Sequence, residues 1–152
     1  MASETSGGSL SQHLEIPFVR SVSLNENSKI IIKGRPLEGA SRFNIWFQIG
    51  ADPEPDNVAF AYDARFNYGS DKNVVVCSHR MGEGSCSEER NTYHFPFVQG
   101  HRFKIMILVN LDHYQIQVGS HVTKFYHRFA IQDVDTLRID GNIELIDVKV
   151  MS

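Results

Sequence analysis

Two cysteines, Cys77 and Cys86, are all that 152 residues contain. That is too few for the disulfide framework of a small secreted domain. The start, MASETSGGSLSQ, has no basic segment and no apolar stretch, so a secretory signal is also lacking. No apolar run approaches the ~18 residues of a membrane-spanning helix. The longest, Ile105 to Val109, is strand-sized. These absences predict a cytoplasmic protein without membrane insertion, exported, if at all, without a signal peptide. A net charge of -3, with Lys and Arg scattered, argues against nucleic acid as a partner.

Catalytic signatures are missing too. There is no dinucleotide glycine fingerprint, phosphate loop, nucleophile elbow or zinc-protease motif. His121 and His127 can share a strand face, but no third ligand follows at convincing spacing. No acidic, oxygen-rich loop suggests calcium. No metal and no cofactor is therefore expected. Cys77 follows Val74, Val75 and Val76 and reads as a buried small hydrophobe, whereas Cys86 reads as an exposed thiol in a polar loop. A nucleophile pairing a cysteine with His79 has no further support.

What is present is a core. Hydrophobic residues make up 41% and aromatics 11%, enough for one packed domain. Residues 1–12 read as a flexible tail and residues 13–152 as the domain. Short runs separated by turn residues predict strands at 28–34, 42–48, 58–66, 73–78, 92–96, 102–110, 113–118, 122–126, 136–140 and 142–150. Phe43, Ile45 and Phe47 alternate with Arg42, Asn44, Trp46 and Gln48. Val58, Phe60 and Tyr62 likewise oppose Ala59, Ala61, Asp63 and Arg65. Phe103, Ile105, Ile107 and Val109 share a third such face. Period-2 alternation places one sheet face on a core and the other in water. Gly119-Ser120 is a hairpin signal, and residues 130–134 have room for one helical turn. The fold class predicted is all-β, a two-sheet antiparallel β-sandwich.

The wet faces carry the chemistry. Asp63 and Arg65 share one face, Glu88 and Arg90 another, with Ser78 on the strand between. On neighbouring strands, two guanidiniums would flank one or two carboxylates and be held in fixed directions. Such an array suits sugar hydroxyls, each both donor and acceptor. By spacing alone it is equally a surface ion-pair network with no ligand.

At these residues the chain resembles the galectins. Ala61-Tyr-Asp-Ala-Arg-Phe-Asn67 is similar to that family's His-x-Asn-x-Arg-Phe strand. Val76-Cys-Ser78 is similar to its Val-Cys-Asn, and Ser85-Cys-Ser-Glu-Glu-Arg90 to its Trp-Gly-x-Glu-x-Arg. Ile16-Pro-Phe18, Ile32-Lys-Gly34, Phe95-Pro-Phe97, Tyr126-His-Arg128 and Val134-Asp-Thr136 follow in the family's order. The resemblance covers about residues 13 to 150. It implies a galectin-like jelly roll, with Arg65, Glu88 and Arg90 as retained carbohydrate-binding residues on a concave sheet and a β-galactoside as ligand.

Four positions depart from the pattern. Ala61 stands for the histidine that meets the axial galactose hydroxyl, Asp63 and Ser78 for asparagines, and Ser85 for the tryptophan that stacks on galactose. A ring against a sugar face contributes on the order of 1–3 kcal/mol, which serine does not supply. Trp46, on one face with Arg42 and Asn44, offers a stacking surface in an adjoining subsite. Asp63, Ser78, Asn44, Arg42 and Trp46 therefore join the candidate site. Two readings stand. One is a lectin of weak or altered β-galactoside specificity. The other is a galectin-fold protein that has lost sugar binding and acts through protein–protein contact, including a homodimer through terminal strands. A glycosidase is disfavoured, because carboxylates beside arginines are held ionised, and such an enzyme needs one protonated.

Overall fold

The computed structural model describes residues 14–83 and 85–152. The expected tail, with His13, lies outside them. Among the described residues eleven strands follow one another: β1 (Phe18–Ser21), β2 (Lys29–Pro36), β3 (Arg42–Ile49), β4 (Asn57–Tyr68), β5 (Asp71–Met81), β6 (Ser85–Asn91), β7 (Phe103–Val109), β8 (His113–Val118), β9 (His121–Tyr126), β10 (Thr136–Gly141) and β11 (Ile143–Met151). They form a six-stranded sheet, β1-β10-β3-β4-β5-β6, and a five-stranded sheet, β11-β2-β7-β8-β9. All pairings are antiparallel, so the two-sheet sandwich is as predicted. The expected helical turn is a single 3-10 turn at Ile131–Asp133.

Alternation explains the core. Phe43, Ile45 and Phe47 of β3 meet Phe60 and Tyr62 of β4 and, from the facing sheet, Ile105, Ile107, Tyr114 and Phe125. Phe43 and Phe103 bridge the sheets as stacked rings with centroids 5.0 Å apart. Aromatic pairs of this kind contribute about 0.5–1.5 kcal/mol beyond the area they bury.

Four expectations need correction. First, the run 92–96 is not a strand. β5 instead takes its partner from Ser85–Asn91, which pairs through Val75↔Asn91 to Met81↔Ser85. A wet edge strand needs few apolar side chains, so β6 gave no periodic signal, and Pro96 weakens the run that did look extended. Second, β1 is missing from the strands read by alternation, being a short edge strand with three of four residues exposed, and only the resemblance at Ile16-Pro-Phe18 pointed to it. Third, Val58 does not share a face with Phe60. The pairing slips between Phe47 and Gln48 against β3, and between Val58 and Ala61 against β5. This bulge at Ala59 puts Ala59 and Phe60 in the core and pairs Val58 with Gln48 on the opposite face. Fourth, Asn44 and Gln48, expected on a wet face, are buried.

One glycine fixes how closely β10 approaches β3. Gly141 ends β10 opposite Phe43 with φ of 111°. A Cβ there would lie 2.5 Å from the Phe43 Cα and 2.7 Å from the Arg42 carbonyl oxygen. Gly141→Ala is expected to cost about 3 kcal/mol in urea denaturation. An unchanged midpoint would contradict the close approach.

Candidate functional site

Antiparallel register lays the polar face of the six-stranded sheet out in rows. Trp46, Ala61, Ser78 and Glu88 lie side by side across β3, β4, β5 and β6. The next row in one direction holds Asn44, Asp63, Val76 and Arg90; in the other it holds Gln48, Val58, Arg80 and Cys86. Neighbouring strands are ~4.8 Å apart, so these side chains share one surface. A groove of about 310 Å³ runs along it, lined by Arg42, Trp46, Ala61, Asp63, Arg65, Ser78 and Glu88, with Val58 and Arg80 at one end. Six of the eight sequence-predicted site residues therefore line one groove. Asn44 is buried in its row, and Arg90 stands outside the groove lining.

The ion pairs differ from the expected scheme. Arg65 donates through Nε to Asp63 Oδ2 at 2.8 Å and through Nη1 to Asp71 Oδ2 at 2.6 Å. Arg90 donates through Nη1 to Asp71 Oδ1 at 2.8 Å and through Nη2 to Glu88 Oε1 at 3.1 Å. The carboxylate joining the two guanidiniums is thus Asp71, not Glu88. Sequence reasoning missed Asp71 because it opens β5 beside a turn, away from the motif strands. The signal available was its position six residues after Arg65, at the end of the β4–β5 hairpin where Tyr68 pairs with Asp71. The Arg65 hydrogen bond is the main cause that holds the Asp71 carboxyl below the usual range. Burial works against the Arg65 charge, yet the bonds to Asp63 and Asp71 raise its pKa on balance. Tyr68 closes this end, with the Arg42 guanidinium 4.3 Å and the Arg65 guanidinium 5.2 Å from its ring centre.

One atom in the groove is unsatisfied. Asp63 Oδ1 is buried and has no hydrogen-bond partner, while its other oxygen accepts from Arg65 and lies 3.6 Å from Arg42 Nη1. A buried acceptor without a donor costs about 1–3 kcal/mol. This oxygen lies beneath the groove surface, where Asp63 stands beside the Arg42 and Arg65 guanidiniums. At the far end Arg80 sits over the Trp46 ring at 5.8 Å and donates to the Pro55 carbonyl.

The cysteines lie as read, Cys77 buried and Cys86 exposed, although Cys86 is on a strand rather than in a loop. Burial pushes the Cys77 thiol up to about 12. His121 and His127 do not act together. His127 Nε2 bonds the Asn110 carbonyl, and the His121 ring lies against His94. Among the described residues no cluster of three or more His, Cys, Asp or Glu could hold a metal. No helix among them is long and apolar enough to cross a membrane.

Residues 17–150 match the family model described as galactoside-binding lectin. The chain belongs to this family, the galectins. Galectin-4 of Rattus norvegicus is 31% identical over 141 residues, covering 90% of this chain and 41% of that protein. Galectin-3 of Oryctolagus cuniculus is 35% identical over 118 residues, covering 76% of this chain and 46% of its own. The chain thus spans less than half the length of these relatives. Sheep galectin-11, solved in complex with glycerol, superposes with a TM-score of 0.79 at 26% identity, covering 91% of this chain and 99% of the other. The six-stranded sheet with its groove is accordingly part of a galectin-type carbohydrate-binding domain, and the family's members are lectins rather than enzymes.

In this galectin domain β5 and β6 are also tied behind the groove. Buried His79 bonds Ser87 Oγ through Nδ1 at 2.7 Å. Burial, then the nearby Arg128 charge, lowers its pKa. The folded state thus favours neutral imidazole. This stability is present above the unfolded value of about 6.5 and is lost as pH falls through the lower folded value. The urea midpoint is expected to drop between pH 7 and 5, and less steeply in His79→Gln. Equal slopes for both proteins would contradict this assignment.

Proposed function

We propose that this domain binds glycans in the groove on β3, β4, β5 and β6 with altered, weakened β-galactoside specificity. Arg65, Glu88 and Asp63 meet sugar hydroxyls, helped by Ser78 and Arg42. Arg90, joined to Arg65 through Asp71, holds the array in place. Trp46 supplies the apolar platform in an adjoining subsite. Asn44 lies buried opposite Asp63 on the neighbouring strand.

The observation that carries this reading is the groove that seats Arg42, Asp63, Arg65, Ser78 and Glu88 together, with Arg65 held in direction by Asp63 and Asp71. A sugar hydroxyl donates to a carboxylate there and, through its own lone pairs, accepts from arginine. The glycerol bound by sheep galectin-11 is likewise a compound of adjacent hydroxyls. Galactose itself is disfavoured. Ala61 offers only a methyl group between Trp46 and Ser78, and Ser85 has no ring to stack. A glycan longer than a disaccharide reaches Trp46 and regains that contact area.

A glycan array with wild type, Trp46→Ala and Arg65→Ala tests this. Binding of extended glycans, lost in both variants, is expected. An empty array would favour the reading in which the domain serves protein–protein contact. Self-association is part of our proposal as well. Among the described residues β1 and β11 are the edge strands of the two sheets, β11 bridged by Leu14 at Leu145, and we place the homodimer pairing on these edges. For the compartment we propose the cytoplasm, with export by a route needing no signal peptide.

A further inference from the structure

The strands that build the groove have a second side. Ala61, Asp63, Ser78, Glu88 and Arg90 face one way; Tyr62, Cys77 and Glu89, in register with one another, face the other. Beneath them, between the sheets, is a space of about 340 Å³. Tyr62, Val75 and Cys77 line it from above, and Ile116 and Val118 from the facing sheet. It opens between β6 and β9, the unpaired edges of the two sheets, where the His94 and His121 rings lie against each other.

The cleft is open on one side, where Glu89, Arg90, His94, Val122 and Lys124 are exposed. It has room for on the order of ten waters, yet its deeper walls are apolar and offer water few partners. Its size falls at the low end of small-molecule sites, about 300–1,000 Å³. We propose that it is a second binding site, for a small uncharged aromatic compound of one or two rings.

The chemistry of the walls selects that class. Burial raises the pKa of both Tyr62 and Cys77, so the deep wall is uncharged at neutral pH. The carboxylate of Glu89 is already held by Arg128, Oε2 to Nη2 at 3.0 Å. The cationic groups of the lining, Arg90 and Lys124, are exposed at the mouth with His94, so a charged ligand seated in the depth would be desolvated away from a counter-ion, and a cation would also be repelled on entry. Two facing sheets bound it above and below, which favours a flat molecule. Asn91 and Thr123 at the rim are positioned for one ligand hydrogen bond.

The test is an NMR titration of the whole domain with indole, and with tryptamine, its cationic analogue, in parallel. Saturable shifts are expected at residues 75–77 and 116–118, with tryptamine at least tenfold weaker. Val118→Trp fills the space from one sheet and is expected to weaken indole at least tenfold. Cys77→Leu, a milder filling from the other sheet, keeps the test open if the first variant does not fold, and weakens binding several-fold. Arg65→Ala is expected to leave indole affinity unchanged, which separates this site from the glycan groove. Absence of saturable shifts, equal affinity for the charged compound, undiminished binding in a folded space-filling variant, or loss in Arg65→Ala would overturn the proposal.

Discussion

Arg65→Ala is expected to reduce glycan affinity by about a hundredfold or more. Arg65 is the centre of the charged network, donating to Asp63 and to Asp71 while its side chain is only 17% exposed. A hydrogen bond to a charged group contributes about 1.5–3 kcal/mol, and each 1.4 kcal/mol is tenfold in affinity. Two lost ligand bonds therefore account for the expected effect. The variant also strips Asp63 of its closest cation and unties Asp71, so stability falls as well. Arg65→Lys separates the two consequences. It keeps the charge but loses the planar fork, and its affinity is expected to drop about tenfold with a smaller loss of stability. Calorimetry against an extended glycan, with a melting curve for each variant, reads both quantities. Wild-type affinity in either folded variant would remove Arg65 from the site.

The second large effect is a gain. Ser85 opens β6, paired with Met81, at the position where the family pattern carries its stacking tryptophan. Ser85→Trp is expected to raise lactose affinity between tenfold and a hundredfold, from the ~1–3 kcal/mol of an aromatic face on a sugar. Adding Ala61→His supplies a polar group between Trp46 and Ser78 and is expected to restore preference for galactose over glucose. If the double variant binds lactose no better than wild type, the departures at these positions are not what weakens the site.

Much of this was legible because sheets write themselves in period 2. Phe43, Ile45 and Phe47 predicted both β3 and its buried face. The Arg65, Glu88 and Arg90 spacing predicted a shared polar surface once β4, β5 and β6 were neighbours. The illegible parts have local causes. A bulge is one residue out of phase, so the alternation through Val58 and Phe60 assigned Val58 to the wrong face. β6 is a polar edge strand whose sequence resembles a loop. Asp71 enters the network through the hairpin that returns β5 along β4, and no motif marked it. The orphaned oxygen of Asp63 and the space beneath the groove depend on three-dimensional packing and have no counterpart in one dimension.

The most direct measurement of the central claim is a calorimetric titration of wild-type protein with lactose and, in parallel, with a longer galactose-containing oligosaccharide. The account predicts millimolar or weaker binding of lactose, and at least tenfold tighter binding of the longer glycan that disappears in Trp46→Ala. Lactose bound as tightly as the longer glycan, or an oligosaccharide affinity unchanged by Trp46→Ala, would contradict it.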